Sequence, residues 1–445
     1  MKNEAKNPKY DYIEAGNRGD AVSEATHIRT QTATLDEVVT TVIMARVTDF
    51  FGFFVYAIAS AIVFPRLFFP MVDPVTGTLY SFAVFSLAFL ARPFASLASR
   101  WVQQKIGRAG KITLALLILG SSTMAIGLLP GYNEIGWAAP VLLAVLRIAQ
   151  GLGLGGSWDG ITLQLQNAAP DHRKGLYAMV PQLGGPIGFC VAASLFFVLT
   201  GFLTDEEFIN YGWRFAFFAV LAVNVVSLFA RLRLLTTDFG SDDELLQSAP
   251  FIPMLRSQWR PILLSTMLPL ASYALFHMVT VFPLGYEILY SEYDISQILL
   301  LQMLGGALAI GSVIASGILA DRYGRNWVLW VSNALIVVLC LTMNTLEDRP
   351  AIYIILGFVL LGFAIGQASA FSPDRYKPKY RYSGSALSTN LSWIVGAAFA
   401  PLCGLYLTAQ FGLWAASLYL LSGVLVTGIT LYLLQKREKI LSRAQ

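Results

Sequence analysis

Long apolar runs separated by short polar connections extend through this 445-residue chain and limit the folds that it can adopt. Hydrophobic residues make up 56% of the sequence and charged residues only 13%, about half the charged share of a typical soluble domain. A bilayer crossing takes roughly 20 apolar residues, so a chain of this length holds about a dozen helices and no large soluble domain. The sequence therefore predicts an all-α membrane protein.

Twelve apolar spans can be placed along the chain. They are predicted at residues 38–64, 79–99, 112–130, 136–161, 177–201, 212–231, 261–288, 294–320, 327–346, 350–372, 383–407 and 412–434. The connection after the sixth span is long and contains the acidic run DFGSDDELL, which is typical of a solvated linker. The predicted organisation is a cytosolic segment (1–37), a six-helix bundle (38–231), a cytosolic linker (232–260), a second six-helix bundle (261–434) and a cytosolic tail (435–445).

Basic residues are distributed unevenly between the two sets of connections. Three lie in one set, namely Arg66, Arg214 and Arg349. Sixteen lie in the other, namely Arg100, Lys105, Arg108, Lys111, Arg173, Lys174, Arg231, Arg233, Arg256, Arg260, Arg322, Arg325, Arg375, Lys377, Lys379 and Arg381. Because Lys and Arg beside a helix resist translocation, both termini are predicted to face the cytoplasm, as expected for a multi-pass protein of a bacterial inner (plasma) membrane. The net charge of +4 therefore indicates topology, since a nucleic-acid surface would need these residues on one soluble face.

An internal repeat links the two predicted bundles. The turn after the eighth span, GILADRYGRN, recurs in altered form after the second span as RWVQQKIGRAG. Asp321 and Gln104 hold the same position in the two turns and are 217 residues apart (321 − 104), close to half the chain. Such a repeat indicates two equivalent halves, an arrangement found in secondary transporters.

The twelve spans and the repeated turn resemble the major facilitator superfamily, and several stretches resemble its metabolite:proton symporter family. These stretches run in order from the first span to the eleventh: FFVYAIASAIVFPRLFFP, ARPFASLAS, LRIAQGLGLGG, MVPQLGGPIGF, GWRFAFF, ARLRL and YRYSGSALSTNLSWIVGAAFAPL. The resemblance implies two pseudo-symmetric six-helix bundles that rock around a central cavity. It also implies substrates that are mainly organic acids, betaines or amino-acid zwitterions.

The stretch LRIAQGLGLGGSWDG places Gly151, Gly153 and Gly156 at the G-x-G-x-x-G spacing of dinucleotide-binding folds. That fingerprint needs a preceding strand and a soluble helix N-terminus, whereas this stretch lies inside the fourth apolar span. Gly155 follows Gly151 by four residues, a spacing that lets a neighbouring helix approach closely. Close helix packing is therefore the predicted role of these glycines.

Charged residues inside spans are the first candidates for a site, because a charge at the bilayer centre costs at least about 2.5–3.5 kcal/mol. Arg147 lies deep in the fourth span, and Arg46 and Asp49 share one face of the first span. Two guanidinium groups at this depth favour a substrate with a carboxylate, which a guanidinium binds in a fork. An internal charge pair is the alternative for Arg147.

Asp49 is the predicted proton-coupling residue, because its protonation would release Arg46 to an anionic substrate. Two positions depart from the resembled family, in which carboxylates usually stand at the places of Gly52 and Ser157. Proton-coupled symport and uncoupled facilitation or export therefore both stay open. His277, in the seventh span, and Glu287 are the next candidates for coupling.

The other candidate residues follow from the cavity and the gates that the resemblance implies. Further substrate contacts are predicted at polar or aromatic positions within spans, namely Tyr56, Gln150, Gln182, Tyr273, His277, Asn390 and Trp393. Gating is predicted for charged residues toward the cytoplasmic side, namely Arg92, Lys105, Arg108, Asp159, Asp321, Arg322 and Arg325. The phenylalanines are expected to face lipid or the core without a special role.

No pattern in the sequence indicates a metal, a cofactor or a catalytic centre. Cys190, Cys340 and Cys403 lie in apolar runs without metal-ligand spacing, and the three histidines are scattered along the chain. A membrane enzyme would need clustered catalytic residues, and a transporter-like sensor would need an added soluble domain. We therefore expect a monomeric transporter of a small carboxylate or zwitterion, with protons as the coupled ion and no nucleic-acid partner.

Overall fold

The computed structural model describes residues 35–157, 163, 165–166, 169–235, 248–291, 293–368 and 375–444. All regular elements in these ranges are helices, as lipid requires of a chain that does not close into a barrel. The α-helices longer than five residues in the first half are Leu35–Ile62, Pro74–Gly127, Ala138–Gly156, Lys174–Met179, Gly184–Phe202 and Arg214–Leu235. Those of the second half are Phe251–Met267, Leu270–Thr280, Phe282–Tyr290, Ile295–Tyr323, Arg325–Cys340, Pro350–Ala368, Arg381–Ser392, Ala400–Phe411 and Ser417–Ala444.

These helices account for the twelve predicted spans. Eight helical segments in the described ranges are long and apolar enough to cross a bilayer, and two pairs of helices bent by 42° form two more spans. The shorter apolar helix Arg325–Cys340 is the ninth predicted span. The 54-residue helix Pro74–Gly127 holds two spans, because its backbone breaks at Gly107. The second span thus ends, and the third begins, at Gly107.

The two repeat turns have the same backbone conformation. Gly107 has φ 74° and Gly324 has φ 88°, a region that glycine adopts without a steric cost. The two glycines are 217 residues apart (324 − 107), the same offset as Asp321 and Gln104. We call the end of the molecule that carries these turns the basic end, and the other end the opposite end.

Several helices extend beyond the predicted limits of the spans. The sixth-span helix continues to Leu235 and the seventh-span helix begins at Phe251, so both ends of the predicted linker are helical. The last helix continues to Ala444.

At the opposite end, Arg66 Nη1 donates to both carboxylate oxygens of Asp205 at 3.0 Å.

The glycines of the fourth span pack directly against the second span, as predicted. A Cβ on Gly151 would overlap the carbonyl oxygen of Ala88 and lie 2.7 Å from its Cα, and one on Gly155 would overlap the carbonyl oxygen of Arg92. Gly151 and Gly155 lie inside the helix Ala138–Gly156, which leaves no helix N-terminus at the motif. The G-x-G-x-x-G spacing here is therefore a helix-packing surface.

Candidate functional site

A cavity of about 110 Å³ lies between the two halves of the molecule. Its first-half walls come from the first, second, fourth and fifth spans, and its second-half walls come from the seventh and eleventh. The described lining residues are Arg46, Asp49, Phe50, Phe53, Arg92, Leu154, Gly155, Ser157, Leu163, Gln166, Pro181, Gln182, Tyr273, Ser385, Thr389, Asn390 and Trp393. Six of the predicted substrate or coupling residues therefore meet here: Arg46, Asp49, Gln182, Tyr273, Asn390 and Trp393.

One face of the first span supplies an ion pair and two aromatic rings. Arg46, Asp49, Phe50 and Phe53 follow one another at i, i+3, i+4 and i+7, which places all four on one side of the helix. Arg46 Nη1 and Asp49 Oδ2 are 3.6 Å apart, and their side chains are 25% and 13% exposed. Charge-assisted N–H···O bonds are usually about 2.7–2.9 Å long, so this pair is loose.

The second-half wall is aromatic and polar. Trp393 begins a π-helical stretch in the eleventh span, a backbone irregularity that often marks functional positions. Its ring centroid is 4.7 Å from that of Tyr273 and 5.6 Å from the guanidinium carbon of Arg92. Asn390 Nδ2 donates to Ser96 Oγ in the first half at 2.7 Å, so a hydrogen bond joins this wall to the first half.

Arg92, which was predicted to be a gating residue, lines the cavity. With Arg46 it gives the described lining two guanidinium groups against the one carboxylate of Asp49. The described lining thus carries a net positive charge among otherwise apolar and neutral polar groups. Such a lining favours a small ligand that has an anionic group and an apolar body.

Arg147, Gln150 and Tyr56 form a separate buried cluster behind Phe53. Arg147 is 1% exposed, and its Nη1 donates to Gln150 Oε1 at 3.0 Å. Its guanidinium carbon lies 3.7 Å from the centroid of the Tyr56 ring. Within the described part of the chain, Arg147 makes no ion pair with a carboxylate, so the charge-pair alternative finds no partner there. These three predicted substrate contacts are not among the described residues that line the cavity of about 110 Å³.

His277 is also buried away from the cavity, inside a layer of aromatic rings. Its ring is stacked on Phe53 with the centroids 5.3 Å apart and is edge-on to Phe85 at 5.2 Å. Its Nδ1 is 3.4 Å from Thr280 Oγ1, and its Nε2 has no hydrogen-bond partner within the described residues. Phe53 belongs both to this layer and to the cavity wall, so the aromatic layer forms one boundary of the cavity.

At the basic end, the repeat turn of the second half contacts the fifth span. Asp321 Oδ1 accepts the Gly175 N–H at 2.6 Å, and its Oδ2 accepts the Leu176 N–H at 3.1 Å. Arg325 Nη2 donates to the Lys174 carbonyl at 2.8 Å. The carboxylate thus caps the start of the fifth-span helix across the two halves, where a negative charge is stabilising.

The other predicted gating residues have different surroundings. Lys105 lies over the Trp101 ring at 4.3 Å, and Arg322 over the Tyr323 ring at 5.2 Å, each next to its own turn. Arg108 is half-buried beside Gly107. Asp159 lies outside the described residues.

The two halves also contact each other beyond the cavity, toward the opposite end. Ser86 Oγ of the second span donates to the Ala398 carbonyl of the eleventh at 2.7 Å. The hydroxyls of Thr200 and Ser296 are 3.3 Å apart. Contacts between the halves therefore lie on both sides of the cavity along the membrane normal.

Several lining residues were not predicted from the sequence. Phe50 and Phe53 were assigned no special role, although their spacing from Arg46 was a usable signal. Ser385 and Thr389 precede Trp393 by eight and four residues, which also puts them on one helix face. Leu163 and Gln166 carried no comparable signal.

Comparison with known proteins gives concordant results. The model of the Major Facilitator Superfamily matches residues 50–389. The inner membrane metabolite transport protein YhjE of Escherichia coli is 35% identical, over 86% of this chain and 89% of that protein. The shikimate transporter of Escherichia coli is 29% identical over 88% and 93%. Among solved structures, a D-xylose–proton symporter superposes with a TM-score of 0.67 at 13% identity, covering 89% of this chain and 97% of that one.

Proposed function

Since the chain belongs to the major facilitator superfamily of membrane transport proteins, we propose that it moves a small carboxylate-bearing metabolite across the inner membrane by alternating access, in symport with protons. The observation that carries this proposal is that Arg46, Arg92 and Asp49 line one cavity between the halves, where the described lining residues supply two guanidinium groups and one carboxylate. The similarity to a transporter named for shikimate, a carboxylic acid, supports the same substrate class.

Arg46 is proposed to exchange its partner during transport. Without substrate it faces Asp49 at 3.6 Å, and a proton on Asp49 would cancel that attraction. A substrate carboxylate would then occupy the guanidinium of Arg46 in a fork, with Arg92 lining the same cavity. Because the proton and the substrate favour each other, substrate affinity is expected to rise as the pH falls.

The aromatic rings are proposed to select the body of the substrate. Phe50, Phe53, Tyr273 and Trp393 line the same cavity as the two guanidinium groups. Flat apolar surfaces favour a compact ligand with at least one apolar face, whereas a fully hydrated dicarboxylate would lose more hydration than it gains. Gln182 and Asn390 are proposed to hydrogen-bond hydroxyl or amine groups of the ligand.

Arg147 is proposed to support the first-span wall and the substrate anchor from behind. It donates to Gln150 and to the Phe85 carbonyl, and it lies against the Tyr56 ring. A void of about 10 Å³ is lined by both Arg147 and Asp49. Arg147 therefore lies directly behind the side of the first span that carries Asp49.

The basic end is proposed to face the cytoplasm, with both chain termini on that side. The uneven distribution of Lys and Arg supports this orientation. We propose that the protein works as a monomer. An uncoupled facilitator or exporter of the same substrate class is the second candidate, favoured by Gly52 and Ser157 at positions where the resembled family usually has carboxylates.

A ligand screen on the purified protein tests the substrate class. Small monocarboxylates, zwitterions and neutral sugars would be added at pH 6 and pH 8 while thermal unfolding is followed. A ligand at 100 times its Kd raises the free energy of unfolding by about 2.7 kcal/mol. We expect stabilisation by carboxylates, stronger at pH 6.

Arg46→Lys and Arg66→Lys form the matched pair for this screen. Arg66 lies at the opposite end, where it pairs with Asp205. We expect Arg46→Lys to lose most of the ligand-induced shift and Arg66→Lys to keep it. Stabilisation by neutral sugars alone, or an unchanged shift in Arg46→Lys, would contradict the proposed substrate class.

A further inference from the structure

Lys111 is a buried basic residue that joins the two halves at the basic end. It lies near the start of the third span and is 3% exposed. Its Nζ donates to Tyr382 Oη in the eleventh span at 2.9 Å and to Ser99 Oγ at 3.4 Å. The ammonium group also lies 5.4 Å from the Tyr382 ring centroid. A charged donor of the first half is thus fixed on a hydroxyl of the second half.

The internal repeat shows that this contact is specific to one half. The residue equivalent to Lys111 in the second half is Val328, at the same offset of 217 (328 − 111). Conversely, the second half has Asp321 where the first half has Gln104. Asp321 joins its turn to the fifth span, whereas the first-half turn lacks that carboxylate. The seam between the third and eleventh spans is therefore joined by a lysine and a tyrosine, whereas the pseudo-symmetric seam at the fifth span is joined by a carboxylate.

Other groups close the same seam around Lys111. Ser248, where the described chain resumes within the predicted linker, donates from its Oγ to Gln103 Oε1 at 2.9 Å, and its Oγ lies 3.3 Å from Ser99 Oγ. The next backbone N–H, of Ala249, donates to Ser383 Oγ at 2.8 Å. A second cavity of about 250 Å³ lies beside these groups and shares Gly155 with the first cavity. The seam thus lies between the first cavity and the basic end.

We propose that Lys111 and Tyr382 form the first-half latch of the gate at the basic end. Their hydrogen bond exists while the seam is closed and is replaced by water when the eleventh span moves away from the third. A contact that is present in only one of two states shifts the equilibrium toward that state. The latch therefore favours closure of the basic end, in parallel with the Asp321 cap on the other seam.

The latch acts on the gate and not on the ligand, so it is testable without any substrate. Tyr382→Phe removes the acceptor hydroxyl and keeps the ring that packs against Leu163. Tyr380→Phe, two residues earlier, is the matched control, since its ring lies by Lys379 and not by Lys111. Spin labels on cysteines at Gln104 and Lys377, both exposed, would report the distance across the seam after the three native cysteines are replaced by serine.

Without ligand, we expect Tyr382→Phe to raise the ratio of long to short label distances by roughly tenfold, the factor expected for one hydrogen bond to a charged group. Tyr380→Phe is expected to match the parent protein. Lys111→Met should give a similar shift, and the double variant no more than either single one, because both remove the same bond. An unchanged distance distribution in Tyr382→Phe, or additive shifts in the double variant, would overturn the proposal. Either result leaves the substrate class untouched.

Discussion

Replacing Gly151 by alanine tests whether the fourth span needs its glycines for helix packing. The added Cβ would overlap the Ala88 carbonyl oxygen and lie 2.7 Å from the Ala88 Cα and 2.8 Å from its carbonyl carbon. Carbon atoms in favourable contact are about 3.5–4.0 Å apart. All three obstructing atoms are backbone, so no side-chain rotation relieves the overlap. The second and fourth spans must therefore separate by about 1 Å at this level.

The expected magnitude follows from two opposing effects. Overpacking that shifts backbone costs about 1–3 kcal/mol. Alanine in a helix interior is favoured over glycine by about 0.8–1.0 kcal/mol, which offsets part of that cost. Because the obstruction is entirely backbone, we take the upper part of the range and expect a net loss of about 2 kcal/mol in the free energy of unfolding.

The assay is a reversible denaturant titration in mixed micelles, with Gly311→Ala as the control. Gly311 lies within the eighth-span helix Ile295–Tyr323, and a Cβ added there meets no heavy atom within 4 Å. We expect Gly311→Ala to be neutral or up to about 1 kcal/mol more stable than the parent. If Gly151→Ala unfolds at the same denaturant concentration as Gly311→Ala, the packing argument is refuted.

Two further predictions concern the gate and the buried arginine. Asp321→Asn should slow uptake strongly, because a neutral amide offers one acceptor oxygen to the Gly175 and Leu176 N–H groups and no charge. Gln104→Asp should be tolerated at its exposed turn. Initial uptake rates compare the two variants, and normal uptake by Asp321→Asn would contradict the role of Asp321 as a cap. Arg147→Lys keeps the charge but loses the planar group that lies against Tyr56, so ligand Kd should rise. Unaltered binding by a folded Arg147→Lys protein would count against its role as a support behind the substrate anchor.

The spans and the repeat turns could be predicted because they depend on local sequence. Apolar length sets each crossing, and glycine permits the backbone break at Gly107 and Gly324. The orientation of each helix could not be predicted in the same way. In lipid, the outer face of a helix is as apolar as the core, so the apolar character of Phe50 and Phe53 does not separate cavity from membrane, and only their spacing from Arg46 indicates the cavity face.

The candidate site was predictable where charge or polarity stood inside a span. Arg46, Asp49, Tyr273 and Trp393 meet in one cavity, but Arg147 does not join them. The position of Arg147 could not be predicted, because its depth in the membrane carries no information about the side of Phe53 on which it lies. Lys111 was counted only as a basic residue of a connection. Its contact with Tyr382 depends on how the halves pack, and this is a property of the tertiary structure alone.

Whether protons enter together with the substrate can be measured directly in liposomes, and this decides between symport and facilitation. The protein would be reconstituted in liposomes that hold a trapped pH indicator, at equal pH on both sides, and a carboxylate identified by the ligand screen would be added outside. We expect acidification of the lumen beyond that of protein-free liposomes. We expect no acidification with Asp49→Asn, which should still exchange labelled for unlabelled substrate. Substrate uptake without acidification would show a facilitator, and acidification that persists in Asp49→Asn would place coupling at another group such as the buried Glu287.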